Sequence, residues 1–387
     1  MTHEELTPLE NARIFRDEIW PAVAGPGASL ASGPAQRREG EPPPRATWII
    51  APPAHLKSTL QSTMTAQASV DADTFAAHHP AYETLALEDD RSAQFKISGD
   101  LARWYDLSIL YAMQQKLDLV VSGWHAEASL QMMSDGWETE AIFIAGDEAI
   151  CNLRRLKRYT EEREIIGYGR WVPLQDYSDF YHADDGWTID DIYRNRLVNR
   201  ITVLDRTLQP VHTNPLNADD PWDQEVSPRS IVEQLRREPW SAAEFNEAYE
   251  LIDYLLYELA DDLLPELQQA IRTAKATQQR TVDRFAAEAA KRIATVERGE
   301  GPAVRALGPQ AHPDLVAQAQ QADEQAIAEL QARTETYREE ARTLDRLESE
   351  LGIALFGRPP ERSENSAYRP PGEFSLEEWH RSYTQSI

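Results

Sequence analysis

The chain has 387 residues, ample for two or three domains. Its formal net charge of -26 excludes a nucleic-acid backbone as main partner, because such affinity comes largely from lysines and arginines displacing counterions. No apolar run reaches the roughly 18 residues that a membrane-spanning helix needs, and Met1-Thr2-His3-Glu4-Glu5 lacks the basic and apolar regions of a secretory leader, so a cytoplasmic location and no membrane partner are expected. The single cysteine, Cys151, allows no intramolecular disulfide and lies in an amphipathic stretch, where a buried structural thiol is expected.

Thr7, Pro8 and Glu10 supply a cap, a first-turn proline and the capping-box acid of a helix that Pro21 is expected to end. With residues 22–45, rich in Gly, Pro, Ser and Ala, it forms an N-terminal helix and flexible linker over 1–45. Over 46–214, short apolar runs alternate with amphipathic stretches, and strands are predicted at Trp48–Ile50, Ala68–Val70, Leu117–Val121, Glu140–Ala145 and Ile201–Leu204. That alternation predicts an α/β fold, a parallel sheet flanked by helices, whose strand ends carry the chemistry. A capping box at Ser241 and Glu244 opens a helix that Pro265 interrupts, followed by apolar positions at helical spacing to about Val296. After Pro313, Ile327, Leu330, Thr334, Tyr337, Ala341, Leu344 and Leu351 recur in steps of three, four or seven, as in a coiled-coil seam. Residues 228–356 are therefore predicted to form a C-terminal α-helical hairpin extension with solvated charged faces. A Pro-rich linker and a short terminal helix are expected over 357–387.

Ala51-Pro52-Pro53-Ala54-His55-Leu56-Lys57-Ser58 is an altered phosphate-binding loop, G-x-x-x-x-G-K-[ST], with alanine and leucine at the glycine positions. In the intact motif, backbone N–H groups wrap phosphates, lysine reaches their oxygens and the hydroxyl ligates magnesium. Ala51 and Leu56 are expected to oppose the tight curl, and Pro52 and Pro53 each remove an N–H donor. Asp71 and Asp73 follow at the end of the second predicted strand. Two alternate positions share one face where a strand continues, although a turn is expected there.

This loop, Val70-Asp71-Ala72-Asp73 with His79-Pro80, Leu117 to Gly123, and Leu156-Lys157-Arg158-Tyr159 leading to Gly169-Arg170-Trp171 resemble, in order and spacing, the zeta-toxin kinases. The first helix is similar too, and the resemblance covers roughly residues 6–214. It implies a P-loop kinase-like fold that uses ATP or GTP with Mg2+ to phosphorylate a small hydroxylated acceptor, such as UDP-N-acetylglucosamine, until an antitoxin covers the nucleotide site. It also implies roles for individual residues. Ala51, Leu56, Lys57 and Ser58 would bind nucleotide, with Ser58 holding magnesium. Asp73, or Asp71, would take the acceptor's proton, and the lid arginines Arg158 and Arg170 would neutralise the moving phosphoryl group.

Ser122-Gly123-Trp124 replaces the family's Glu-Gly-Thr and removes an acid and a hydroxyl from the implied substrate site, to which Asp106 also belongs by position. Trp124 adds an apolar face suited to an aromatic ligand or to closing the pocket. Three plainer readings stand beside these. Arg158 and Arg170 pair with Glu161, Glu162 or Glu164; His78 and His79 cap or pack; and His125 has no partner identifiable from sequence. The alternative functional reading is a catalytically dead pseudokinase that binds a protein or self-associates through its C-terminal helices.

Overall fold

The computed structural model describes residues 5–25, 40–54, 56–174, 189–216, 222, 226–307 and 311–355, and the expected terminal helix lies outside them. The chain divides into two compact units, one running to Arg236 and one beginning at Arg237.

The first unit opens with α1 (Pro8–Ile14), whose Thr7 hydroxyl accepts from the Glu10 N–H while the Glu10 carboxylate accepts from the Thr7 N–H. The helix does not stop at Pro21. It widens into a π-turn, Phe15–Ile19, and resumes as α2 (Trp20–Ala24) with Pro21 in its first turn. The wider turn re-pairs the Trp20 N–H with the Phe15 carbonyl, so a residue that lacks an N–H is tolerated where regular α geometry would be interrupted. Asp100 holds this helix down, accepting from the Leu6 N–H at 2.9 Å and from Asn11 Nδ2 at 2.6 Å.

Next come β1 (Arg45–Ile50), α3 (Lys57–Thr63), β2 (Ala68–Asp71), a 3-10 turn (Ala72–His78), α4 (Tyr82–Lys96), α5 (Ser98–Gln114), β3 (Leu119–Ser122), α6 (Ala126–Ser134), β4 (Glu138–Ile144) and α7 (Glu148–Ile166). The unit closes with α8 (Ile189–Arg194), β5 (Arg200–Leu204), β6 (Pro210–Pro215) and α9 (Pro228–Arg236). The six strands lie in the order β2-β3-β1-β4-β5-β6. All pairings are parallel except that of β5 with β6. Alternation along the strands sorts the core into two layers. Trp48, Ile50, Val121, Ala141, Phe143 and Val203 face the large layer that includes α5, whereas Ile49, Val120, Ile142, Ile144 and Leu204 face Leu60 and Met64 beside α3. The predicted parallel α/β sheet is thus present, with an antiparallel edge strand that sequence reading did not supply. Cys151 is fully buried.

The second unit contains α10 (Ala242–Glu258), capped through Ser241 and Glu244 as expected, then α11 (Leu264–Glu297), α12 (Pro302–Leu307) and α13 (Pro313–Leu355). The break precedes Pro265: the backbone is extended at Leu259 and Ala260, and Pro265 sits in the first turn of α11. α11 and α13 run antiparallel. Lys275 meets Asp345 and Glu348, the Phe285 and Tyr337 rings stack at 5.4 Å, and Arg292 lies 3.8 Å from Asp323.

Candidate functional site

The loop, the acid pair and Ser122 issue from the carboxyl ends of β1, β2 and β3, where open parallel sheets place their crevice, while Arg158, Arg170 and Asp106 come from α7, the segment after it and α5. β1 ends at Ile50. Ala51 and Pro52 are buried behind it, with Ala51 packed against Ile49 and Val120 in the α3-side layer. The chain then curls. Ala54 and Leu56 take left-handed backbone angles, φ 58° and 47°, and Leu56 caps α3. The expected opposition of Leu56 to the curl is therefore overcome: the leucine adopts a conformation that costs an L-residue about 1–2 kcal/mol. Its side chain is half-buried. Among the described residues no side-chain hydrogen bond caps α3, which leaves its first N–H groups without such a cap. Lys57 and Ser58 are its first two residues, Lys57 half-buried and Ser58 exposed.

β2 delivers the acidic pair. The strand ends at Asp71 and the 3-10 turn begins at once, so Asp71 and Asp73 are not simple strand alternates. The Asp73 N–H donates to Asp71 Oδ1 at 3.1 Å. Burial pushes the Asp71 carboxyl up to about 6, with the Asp73 charge adding to the rise and Lys57 and Arg170 opposing it. Burial also acts to raise Asp73, but Lys57, Arg158 and Arg170 together outweigh it and hold that carboxyl below its ordinary value. Asp73 is exposed as a residue. The two acids behave as one interacting pair whose partners ionise at well separated pH.

α7 brings the arginines. Asp147 caps it, accepting at Oδ1 from the N–H groups of Ala149 and Ile150 at 3.0 and 3.1 Å. Arg158 lies on this helix, and Arg170 on the segment that doubles back after it. That segment is pinned at several points. Asp90 accepts from the Gly169 N–H at 3.0 Å and from the Tyr159 hydroxyl at 2.8 Å. A side chain at Gly169 would lie 2.5 Å from the Tyr159 carbonyl, closer than real contacts allow. The Trp171 ring sits edge-on to Tyr159 and carries the Arg91 and Arg155 guanidinium groups at 5.1 and 5.0 Å from its centroid. Arg170 itself pairs with Glu162: its N–H donates to Oε2 at 2.6 Å and its Nε to Oε1 at 2.7 Å. The plainer reading of Arg170 as half of an ion pair is met together with its proximity to the acids.

The remaining expected residues line β3 and α5. Ser122 stands in register with Asp71 across the β2–β3 pair, is buried, and its Oγ has no hydrogen-bond partner. Trp124 packs edge-on against buried Trp48 at 5.3 Å and is half-buried. Asp106, on α5, lies 3.6 Å from His125 Nε2, and His125 Nδ1 accepts from the Ala128 N–H at 3.2 Å. His125 therefore has the partner that sequence did not reveal, and it caps α6. His79 caps locally too, accepting from the Ala81 N–H, and His78 reaches Glu18. Among the described residues no cluster of His, Cys, Asp and Glu is arranged to hold a metal without other ligands. Tyr105 was not expected. Its hydroxyl is buried without a partner and lies 3.1 Å from where a Gly123 side chain would begin. Its one sequence signal is adjacency to Asp106 on an amphipathic helix.

A parallel sheet, a curled loop running into a helix that begins with Lys-Ser, and an acid pair facing arginines define a P-loop kinase-like α/β protein. Residues 54–214 match the family model for zeta toxin. A solved structure from the human pathogen Streptococcus pneumoniae, described as the PezAT chromosomal toxin-antitoxin system, is 15% identical, with 66% of this chain and 99% of that chain covered and a TM-score of 0.48. No curated protein matches the chain. No described helix is long and apolar enough to cross a membrane.

Proposed function

We propose that the first unit is a zeta-toxin-type kinase that moves the γ-phosphate of ATP or GTP to the hydroxyl of a small acceptor, such as the nucleotide sugar UDP-N-acetylglucosamine. One observation carries this reading: Lys57, Arg158 and Arg170, from three separate parts of the chain, act together on the Asp73 carboxylate, with Asp71 beside it. Phosphoryl transfer asks mainly for positioning and for neutralisation of the negative charge spread over the moving group's oxygens, and three cations around one crevice meet that demand. The acceptor oxygen forms a bond to the γ-phosphorus while the bond from phosphorus to the β-bridging oxygen breaks, and the nucleoside diphosphate leaves. The acceptor's proton passes to the Asp71/Asp73 pair. Asp71, raised to about 6, is the better matched proton acceptor near neutral pH, and Asp73 stays ionised as counter-ion to the cations. Lys57 and the uncapped start of α3 bind phosphate oxygens. The Ser58 hydroxyl and the paired carboxylates are oxygen donors of the kind magnesium takes, and that ion would add positive charge against the phosphates. An antitoxin-type protein covering the nucleotide cleft is the partner that goes with this reading.

Incubating the protein with labelled ATP, magnesium and a nucleotide-sugar panel is expected to give transfer that disappears in Lys57→Ala and Asp73→Asn. The native rate should fall as pH drops through about 6, where Asp71 protonates. A nucleotide at a hundredfold its Kd should add about 2.7 kcal/mol of stability. Absence of any nucleotide-dependent thermal shift would decide for the second reading, a scaffold that binds a protein or self-associates through its C-terminal helices. That reading is favoured by Pro52 and Pro53, which take two donors from the loop.

A further inference from the structure

α4 breaks at Asp89, whose φ −160° and ψ 92° lie outside the helix, although no proline or glycine occurs anywhere in the element. Kinks this sharp usually trace to those residues. Here Asp89 caps a second half-helix, accepting at Oδ1 from the Arg91 N–H at 3.2 Å and at Oδ2 from the Ser92 hydroxyl. Asp90 therefore opens a new turn, and its carboxylate meets α7 and the segment after it. Oδ1 accepts from the Tyr159 hydroxyl at 2.8 Å, while Oδ2 accepts from the Gly169 N–H at 3.0 Å and lies 3.4 Å from Arg163 Nε. Tyr159 follows Arg158 in the chain, and Gly169 precedes Arg170. One carboxylate thus grips the neighbour of each arginine.

The rest of α4 lies along the same segment. The Tyr82 and Tyr168 rings meet edge-on at 5.8 Å, Leu87 sits 3.4 Å from where a Gly167 side chain would begin, and Arg91 covers the Trp171 ring. At its other end α4 is tied to the turn that carries the acids. The Tyr82 N–H donates to the His79 carbonyl at 2.9 Å, one residue beyond that 3-10 turn. Glu162, the ion-pair partner of Arg170, lies on α7 and fixes the arginine to that helix, whereas α4 spans from the acids to the arginines.

We propose that Asp90 is a positioning residue for phosphoryl transfer: from the broken α4 it holds Arg158 and Arg170 at a set distance from the turn bearing Asp71 and Asp73, so that both guanidinium groups meet the γ-phosphate. This rests on the kinase reading of the crevice. The carboxylate acts through the residues beside the arginines and touches no reacting atom. A helix interrupted without proline or glycine forfeits backbone bonds, and the contacts of Asp90 and Arg91 offset that loss while directing the arginine segment. A small displacement of a group that neutralises a phosphoryl is costly to its function, which gives such a latch its use.

The test uses the full chain with magnesium and two nucleotides, ADP and AMP-PNP, the second of which adds a γ-phosphoryl group on a non-hydrolysable nitrogen bridge. Calorimetry of the native chain is expected to show AMP-PNP bound more tightly than ADP. Asp90→Ala should cut that preference about tenfold, the size of one hydrogen bond between charged groups, and leave ADP affinity within about twofold. Asp90→Asn keeps one acceptor oxygen and should fall between. Asp118→Ala is the structural control. Asp118 accepts from the Arg45 N–H at 3.0 Å at the amino ends of β1 and β3, so its loss should lower Tm and leave the preference intact. A native-like preference in Asp90→Ala, or ADP and AMP-PNP weakened alike, would overturn the proposal by leaving Asp90 a merely structural role. Should Asp90→Ala fail to fold, Asp90→Asn and Tyr159→Phe decide by the same ratio. A native chain that binds ADP without preferring AMP-PNP overturns this inference alone, whereas binding of neither nucleotide removes the kinase reading and this inference with it.

Discussion

The two units use charge in opposite ways. In the α/β unit, groups separated by more than a hundred residues converge: Lys57 from the loop, Asp71 and Asp73 from β2 and its turn, Arg158 and Arg170 from α7 and its return. In the helical unit, ion pairs such as Arg338 with Glu335 and Arg342 with Glu339 join exposed neighbours three residues apart on one helix. Pairs of the second kind contribute about 0–1 kcal/mol each and keep a helix face solvated. The first kind sets ionisation states across a crevice, which chemistry can use. Charge density alone would have pointed to the helices; convergence points to the sheet.

The most severe break of that contrast comes from removing the loop cation. Lys57→Ala is expected to lower transfer by about a thousandfold, measured with labelled nucleotide. Arg342→Ala on α13, losing two exposed pairs, should leave transfer unchanged and alter stability by less than about 0.5 kcal/mol. Equal effects of the two substitutions would erase the distinction between the units.

Gly169→Ala probes how Arg170 is held. The added carbon would meet the Tyr159 carbonyl and ring, so the segment must move away from α7 and take Arg170 with it. A displacement of about 1 Å in a phosphate-neutralising group is worth about a hundredfold in rate. The loss should appear in kcat, with nucleotide-dependent stabilisation retained through Lys57. An unchanged kcat would mean that Arg170 acts only as the partner of Glu162.

Most of this arrangement was legible in the chain, and the illegible parts share physical causes. Five strands announce themselves by apolar runs that a parallel, doubly covered sheet must bury. β6, Pro210–Pro215, does not: it is an edge strand with proline at both ends, and five of its six residues keep some exposure. The helix through Pro21 was hidden because a π-turn leaves no mark in composition. Lys57, Asp71, Asp73, Arg158 and Arg170 were readable as one set through their order. Tyr105 and the pairing of His125 with Asp106 were not, since each depends on α5 and the β3–α6 turn meeting in space. Leu56 read as an obstacle because steric preference was weighed without the surrounding fold that imposes the conformation.

The helical unit contains one acid that departs from its solvated pattern. Glu340 on α13 is buried, and that burial lifts its carboxyl to about 7 from an ordinary 4.5. The folded unit therefore binds a proton more tightly than the unfolded chain. This contribution to stability is fully present below about 4.5 and is lost as pH rises through 7. Glu340→Gln keeps the shape and removes the ionisation. Its thermal midpoint is expected to match the native one at pH 4.5 and to exceed it by a few degrees at pH 8, corresponding to about 1–2 kcal/mol. A constant difference across that range would show that Glu340 is solvated in the folded unit.

The smallest expected effect bears most directly on the loop. Leu56→Ala and Leu56→Gly delete the same half-buried side chain, so lost packing cancels when the two variants are compared. They differ in what the left-handed backbone at φ 47° costs them. Alanine retains a Cβ that crowds the following carbonyl, and glycine does not. Glycine's greater freedom in the unfolded chain offsets part of that relief. Leu56→Gly should therefore be the more stable of the two by about 0.5–1 kcal/mol in denaturant titration, with any gain in nucleotide affinity following the same order. If alanine proved equal or better, the loop would not hold a left-handed turn at this position in solution. Lys57 would then point somewhere other than at the acids it is seen to influence.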